Sequence, residues 1–147
     1  MAFGIVEWRV MALVNGDGFV GLVLVSHSAA IADGLAELVA QVAGPDVPIV
    51  TAGGGPDGTL GTDGGRVLEA LRTVDGPGAV VLADLGSSLL SVRAALAELT
   101  PGEAARIVLA DAPLVEGAIA AGVTASTGAA LTEVVGAAEE ARNVPKL

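Results

Sequence analysis

The chain has 147 residues, a formal net charge of −10 and no cysteine. That length suits one compact domain with its own core, and the acidic balance argues against a nucleic-acid surface, because phosphate neutralisation needs clustered Lys and Arg. The lack of cysteine excludes disulfides, thiolate catalysis and Cys-based zinc sites, and it fits a cytoplasmic protein. No apolar run reaches the length of a membrane span and no cluster of metal ligands is visible, so we expect no membrane partner, no metal and no other cofactor.

The first residues differ from the rest of the chain. Residues 1–18 lack the basic start and the continuous apolar stretch of a signal peptide. Their last four residues, Asn-Gly-Asp-Gly, are typical of a flexible joint. We therefore expect a poorly ordered N-terminal extension over residues 1–18 and one domain over residues 19–147.

The first strong pattern is the sequence Gly-Leu-Val-Leu-Val-Ser-His-Ser at residues 21–28. Its aliphatic run predicts a strand covered on both faces, as in a parallel sheet. The apolar residues Ile31, Leu35, Leu38 and Val42 then have the spacing of an amphipathic helix. His27, the only histidine in the chain, is therefore predicted to lie on a strand-to-helix turn.

The same alternation of strand and helix continues along the chain. Strands are predicted at residues 48–52, 79–83 and 107–110, each followed by a helical pattern, and two Ala-rich helices end the chain. The Gly-rich segment 53–65 is predicted to be a flexible loop, and it lacks the Lys of a nucleotide-binding P-loop. The alternation predicts an α/β fold, a three-layer, doubly wound, mainly parallel sheet of order 2-1-3-4 with helices on both faces.

In that strand order the first and third strands are neighbours, so His27 and Asp84 follow adjacent strand ends. A carboxylate that accepts a hydrogen bond from one ring nitrogen leaves the other nitrogen free as a nucleophile. The carboxylate also raises the proton affinity of the ring, which opposes nucleophilicity, and burial decides which effect is larger. A purely structural histidine, a helix-capping role for Asp84 and a rival carboxylate at Asp111 are the alternatives.

Small residues near these strand ends predict a site for a phosphate group. Gly86 leaves backbone N–H groups free to turn toward a ligand, and Ser87 is placed to cap the third helix. Helix N-termini bind phosphate through such N–H groups and the helix dipole. Thr62 and Asp63 offer the same arrangement at the start of the second helix. Together these residues favour a phosphoryl group carried on a nitrogen of His27.

Four short segments, in order, carry a resemblance to a known family. They are Val-Ser-His-Ser at 25–28, Gly-Thr-Asp at 61–63, Asp-Leu-Gly-Ser-Ser-Leu-Leu-Ser at 84–91 and Ala-Pro-Leu-Val-Glu-Gly at 112–117. From about residue 20 to the end of the fourth predicted helix, the sequence resembles the phosphotransferase subunit of PEP-dependent dihydroxyacetone kinase. The resemblance implies the fold of the mannose-class IIA domain of the bacterial sugar phosphotransferase system.

The resemblance also implies a function. His27 would accept a phosphoryl group from the carrier protein HPr and pass it to ADP on a nucleotide-binding subunit, and the resulting ATP would phosphorylate dihydroxyacetone on a third subunit. It implies a cytoplasmic homodimer. Some family members carry fused carrier domains, whereas this sequence has one domain, so we expect HPr to be a separate protein. Both partners would share a surface around His27 with an apolar centre, for which Ala29, Ala30, Ile31, Leu85 and Leu89 are candidates. The implied catalytic residues are His27 and Asp84, and the implied phosphate-binding residues are Ser28, Thr62, Gly86 and Ser87.

Two other functions stay open on the sequence. One is a sugar-specific IIA component of the mannose class, which usually has a Trp-Gly-Gly-Ser-Pro type loop after the aspartate; Leu-Gly-Ser-Ser at 85–88 differs from it. The other is a non-enzymatic binding module on a flavodoxin-like fold. A flavin site would normally need aromatic stacking, and this chain has no Tyr, one Trp and two Phe.

Overall fold

The computed structural model describes residues 18–74 and 76–147. The predicted extension over residues 1–18 therefore lies, except for Gly18, outside the described residues. Within them, every helix is too short or too polar to cross a membrane. In chain order the elements are β1 Gly21–Ser26, α1 Ala29–Ala43, β2 Ile49–Gly53, a 3₁₀ turn at Pro56–Gly58, α2 Gly64–Thr73, β3 Ala79–Ala83, α3 Gly86–Glu98, α4 Pro101–Ala104, β4 Ile107–Leu109, α5 Leu114–Ala125, α6 Leu131–Glu140 and a 3₁₀ turn at Ala141–Asn143.

The four strands form one parallel sheet in the order β2-β1-β3-β4, as predicted. In its register Val25 of β1 lies opposite Ala83 of β3, and Ser26 lies opposite Gly53 of β2. The residues that follow β1 and β3 therefore meet at the carboxyl edge of the sheet, where parallel α/β sheets bind their ligands. This register brings His27 and Asp84 to the same place.

Both faces of the sheet are buried, which explains the uninterrupted aliphatic sequence of β1. Leu22 and Leu24 pack into a core shared with α1, α5 and α6, whereas Val23 and Val25 pack into a second core shared with α2 and α3. All four side chains are fully buried. Each contributes about 1.5–3 kcal/mol of hydrophobic stabilisation, so the strand that leads to His27 is held firmly from both sides.

The predicted first helix is confirmed as α1, but of the four apolar residues whose spacing predicted it only Leu35 is buried. Ile31, Leu38 and Val42 are about half exposed. The buried face is made mainly of alanine and packs closely against α5, where a Cβ added at Gly122 would lie 2.6 Å from Val39 Cγ1. The buried residues of α1 are Ala32, Leu35, Ala36, Val39 and Ala43.

Two short helical segments were not predicted from the sequence. A 3₁₀ turn at Pro56–Gly58 lies inside the Gly-rich loop. The one-turn helix α4 follows α3 directly and begins with a capping box, in which Thr100 Oγ1 accepts from Glu103 N while Glu103 Oε1 accepts from Thr100 N. The periodicity of a few residues carries too little information to reveal such segments.

The Gly-rich loop is tied to the end of β1 at two points, on either side of its exposed residues 56–60. Gly54 N donates to Ser26 O at 3.0 Å, and Gly61 N donates to His27 O at 2.9 Å. At its base, a Cβ added at Gly53 would lie 2.7 Å from the Cα of Ala29, so only glycine lets β2 approach the start of α1 this closely. The loop thereby fixes the turn that carries His27.

Candidate functional site

His27 lies in a two-residue turn between β1 and α1. Ser26 is the last residue of the strand, and Ser28 is the N-cap of the helix, with its hydroxyl accepting from Ile31 N at 3.3 Å. Ser26 Oγ also accepts from Ser28 N at 3.1 Å. The side chain of His27 is 24% exposed. The ring is thus held at the edge of the sheet with part of its surface open to solvent.

The carboxylate of Asp84 holds both the ring and the backbone of His27. His27 Nδ1 lies 2.8 Å from Asp84 Oδ1, and His27 N donates to Asp84 Oδ2 at 3.0 Å. An ionised carboxylate only accepts hydrogen bonds, so Nδ1 carries the proton in this contact. In the neutral ring the lone pair then resides on Nε2. The geometry therefore favours Nε2 as the nucleophilic atom.

Asp84 has further donors that keep its carboxylate ionised. Ser26 Oγ donates to Oδ2 at 2.8 Å, Ser88 Oγ donates to Oδ1 at 2.6 Å, and Leu85 N donates to Oδ1 at 2.7 Å. Burial by itself raises the pKa of Asp84, but the hydrogen bonds from Ser88, from the backbone and ring of His27 and from Ser26 outweigh it and hold that pKa well below its usual value. The charge that would stabilise a cationic ring is therefore always present near neutral pH.

The second ring nitrogen faces the N-terminus of α3. Ser87 Oγ makes a short hydrogen bond with His27 Nε2. The N-cap of α3 is Leu85, so Ser87 lies inside the first turn, and the expectation that it caps the helix was wrong. In the described part of the chain, Gly86 N and Ser87 N have no protein acceptor. These two N–H groups and the positive end of the helix dipole can receive an anion next to Nε2.

Three other predicted residues are engaged elsewhere. Thr62 Oγ1 is hydrogen-bonded to Ser91 Oγ at 2.7 Å, and Asp63 caps α2 by accepting from Gly65 N at 3.0 Å. Asp111 follows β4, one strand further from His27 than Asp84 is, and it forms an ion pair with Arg142 at 3.2 Å. The phosphate-binding roles expected of Thr62 and Ser28 remain predictions.

Sequence reasoning missed two serines that complete the site, Ser26 and Ser88. Ser88 is buried, and its Oγ lies 2.9 Å from His27 Nδ1 as well as contacting Asp84. The sheet register could have revealed Ser26, because the residue after Val25 must lie beside the residue after Ala83. The spacing of four residues between Asp84 and Ser88 could have revealed Ser88, because it places the hydroxyl one helical turn beyond the carboxylate.

A comparison with models of known protein families assigns the chain to one of them. A model of the mannose-type IIA family, described as the PTS system fructose IIA component, matches residues 21–135. The chain belongs to this family. The match contains all four strands and the residues around His27, so the family assignment covers the site as well as the fold.

Curated relatives narrow the assignment to DhaM subunits. The chain is 44% identical over 126 residues, 83% of its length, to "PEP-dependent dihydroxyacetone kinase, phosphoryl donor subunit DhaM" of Providencia stuartii, and 41% identical over 120 residues, 79% of its length, to the Escherichia coli subunit of that name. It spans about a quarter of those relatives, 26% and 25% of their lengths. Against "PEP-dependent dihydroxyacetone kinase 2, phosphoryl donor subunit DhaM" of Listeria innocua, it is 37% identical over 71% of this chain and 84% of the relative.

A solved structure has the same fold. The crystal structure of the protein of unknown function EF1359 matches with a TM-score of 0.76 and 34% sequence identity. The match covers 88% of this chain and 97% of that one. The fold is therefore supported by structure as well as by sequence.

Proposed function

We propose that this chain carries a phosphoryl group on His27, from the phosphohistidine of HPr to ADP bound on a nucleotide-binding kinase subunit. The ATP formed there phosphorylates dihydroxyacetone on a third subunit. The main support is the histidine itself, with Nδ1 held by an ionised carboxylate and Nε2 directed at a helix N-terminus. The DhaM names of the relatives supply the substrate and favour this function over a sugar-specific IIA component.

In the charging step, the lone pair of His27 Nε2 attacks the phosphorus of the HPr phosphohistidine. The P–N bond of the donor breaks, and its electron pair returns to the donor ring. Positive charge develops on the His27 ring as the new P–N bond forms. Asp84, 2.8 Å from Nδ1, stabilises that charge and holds the ring in place. Because the carboxylate is already fixed by Ser26 and Ser88, little reorganisation is needed.

In the discharging step, a β-phosphate oxygen of ADP attacks the same phosphorus from the opposite side. The P–Nε2 bond breaks, its electron pair returns to the ring, and ATP leaves on the partner subunit. No proton transfer to or from substrate is required in either step. The task of the protein is therefore to position the phosphoryl group and to compensate its charge.

The phosphoryl oxygens are assigned mainly to the first turn of α3. The Ser87 hydroxyl already contacts Nε2, and the N–H groups of Gly86 and Ser87 have no acceptor within the described residues. Once Nε2 is phosphorylated, the hydroxyl turns from the ring to a phosphoryl oxygen. Thr62 and Ser28 are assigned to an outer ring of hydroxyls. Ser28 Oγ accepts from Ile31 N and keeps its own hydrogen to donate, whereas Thr62 Oγ1 is hydrogen-bonded to Ser91 Oγ.

The proposal includes a homodimer that works in the cytoplasm. Ile31, Leu38 and Val42 give α1 an apolar face that is about half exposed, which supports association with a second copy. Sedimentation equilibrium of the protein alone tests this part. A dimer is the expected state, and a monomer at micromolar concentration would remove it from the proposal without affecting the transfer chemistry.

Phosphoryl transfer is tested by reconstitution. The protein is incubated with HPr, enzyme I and phosphoenolpyruvate, then purified and mixed with the nucleotide-binding and dihydroxyacetone-binding subunits and ADP. The proposal predicts acid-labile phosphate on the protein and then ATP-dependent formation of dihydroxyacetone phosphate. Phosphate uptake without discharge to ADP would favour the sugar-specific IIA function instead.

A further inference from the structure

One basic side chain of this acidic protein has no partner among the described residues. The other five described Lys and Arg residues each contact a carboxylate or a carbonyl. Arg93, on α3, makes no hydrogen bond or ion pair with residues 18–74 or 76–147. The chain has 17 acidic and seven basic residues, so carboxylates outnumber the cations that could pair with them. The residues around Arg93 indicate what its guanidinium could bind.

Arg93 lines a cavity of about 260 Å³ between the carboxyl ends of β3 and β4. Asp84 and Asp111 line the same cavity, together with apolar side chains such as Leu89. Both carboxylates are already compensated, Asp84 by its hydrogen-bond donors and Asp111 by Arg142 at 3.2 Å. The guanidinium is therefore the one charged group of the cavity left to bind something else, and the cavity adjoins the phosphoryl site through Asp84.

We propose that Arg93 binds a phosphate group of the nucleotide as the partner subunit brings ADP to phosphorylated His27; this inference rests on the proposed function. ADP and the phosphoryl group are both anionic, and they must approach each other on an acidic protein beside the ionised Asp84. Repulsion between these like charges opposes their approach unless a cation binds one of them. A guanidinium offers a planar set of donors that matches phosphate oxygens, and no other described cation at this edge is unpaired.

The two half-reactions should therefore differ in their dependence on Arg93. HPr delivers its phosphoryl group from an imidazole and brings no nucleotide, so charging does not need Arg93. Discharge to ADP does. Arg93 is exposed and bonded to nothing in the described residues, so its replacement leaves the fold intact.

The test compares Arg93→Gln with Arg72→Gln, which changes net charge equally at a remote surface ion pair with Glu103. Rapid-quench measurements follow charging by phosphorylated HPr and, separately, discharge to the ADP-loaded subunit. Arg93→Gln is expected to slow discharge by roughly 10- to 100-fold, the range of one hydrogen bond to a charged group, with charging matching that of Arg72→Gln. Arg93→Lys should recover part of the loss, because it restores the charge without the planar donor set.

Three results would overturn the inference. Discharge of Arg93→Gln at the rate of Arg72→Gln would remove any role for the guanidinium. Equal slowing of both half-reactions, or equal weakening of binding to the ADP-loaded and nucleotide-free subunit, would assign Arg93 to protein docking instead. If the unmodified protein charges but never discharges to ADP, the proposed function fails as well, so the two failures are distinguishable.

Discussion

His27 Nδ1 and Asp84 Oδ1 are 2.8 Å apart, although 57 residues separate them in the sequence. The pairing of β1 with β3 brings them together, and the same carboxylate also accepts from the backbone N–H of His27 at 3.0 Å. Asp84 therefore fixes the ring's tautomer, its orientation and the turn on which it lies. This triple role underlies the first two predictions.

Replacing Asp84 by Asn should slow charging by phosphorylated HPr by roughly 10²- to 10⁴-fold, by analogy with loss of the orienting carboxylate in serine proteases. The amide keeps the size but removes the charge that stabilises the ring as it becomes cationic. Rapid-quench rates at saturating HPr separate this effect from weaker docking. A variant that charges as fast as the parent, with native circular dichroism, would reduce Asp84 to a structural role.

The lowered pKa of Asp84 predicts a pH-dependent contribution to stability. A carboxyl whose pKa is lower in the folded than in the unfolded chain stabilises the fold above its unfolded value, about 4, and that contribution is lost as the pH falls through the folded value. We therefore compare His27→Ala with the double variant His27→Ala, Asp84→Asn, because both lack the titration of the ring. Their difference in unfolding free energy should be constant from pH 8 to about pH 5 and shrink toward pH 3.

Urea unfolding at pH 8, 7, 5 and 3 measures that difference. Other carboxyl groups titrate equally in both variants, so they cancel. A difference that stays constant down to pH 3 would show that the pKa of Asp84 is not lowered in the folded protein.

Ser87→Ala should slow charging by about 10- to 100-fold, somewhat less than the usual loss of an oxyanion donor, because the N–H groups of Gly86 and Ser87 remain. Ser126→Ala is the control, since this exposed serine lies at the C-terminal end of α5 and its hydroxyl donates to Val123 O. The control should charge at the parental rate. Equal rates for both variants and the parent would exclude Ser87 from the transfer step.

Docking of both partners should use one apolar surface around His27. Leu85, which is 64% exposed beside the site, is its best candidate. Leu85→Ala should weaken binding of both HPr and the nucleotide-binding subunit, and the two should compete for the protein. Val123→Ala is the control, because Val123 is also exposed but lies near the C-terminal end of α5, away from the carboxyl edge of the sheet.

Nuclear magnetic resonance chemical-shift mapping of the two binary complexes measures the footprints. Higher ionic strength should slow transfer mainly through the association rate, because the acidic charge steers basic partner surfaces. Disjoint footprints, with a ternary complex of undiminished affinity, would contradict a shared surface.

The fold was largely predictable because β1 and β3 are continuous aliphatic segments that end abruptly in polar residues. That pattern placed His27 and Asp84 on neighbouring strand ends, and the strand order that brings them together is confirmed. The buried face of α1 was not predictable, because its larger apolar residues are mostly exposed while small ones are buried. Ala32 lies against Gly53 of β2, and Ala36 belongs to the core shared with α5 and α6.

The sequence did not predict which serine contacts which group of the site. Ser88 and Ser87 are adjacent and chemically identical, yet one is buried against Asp84 and the other meets Nε2. Which serine does which depends on where α3 begins, and helix starts carry an uncertainty of a residue or two in sequence. A shift of one residue in α3 would put one serine in the place of the other and leave Gly86 or Leu89 in the vacated position.

Phosphorylation of His27 is the central claim, and one measurement tests it directly. The protein and its His27→Ala variant are incubated with phosphorylated HPr and examined by intact mass spectrometry before and after acid treatment, with phosphorus NMR on the charged parent. The parent should gain one acid-labile phosphoryl group with the NMR signature of Nε2 phosphohistidine, and the variant should gain none. Phosphate on the variant, or a parent that takes up none from active phosphorylated HPr, would contradict the account.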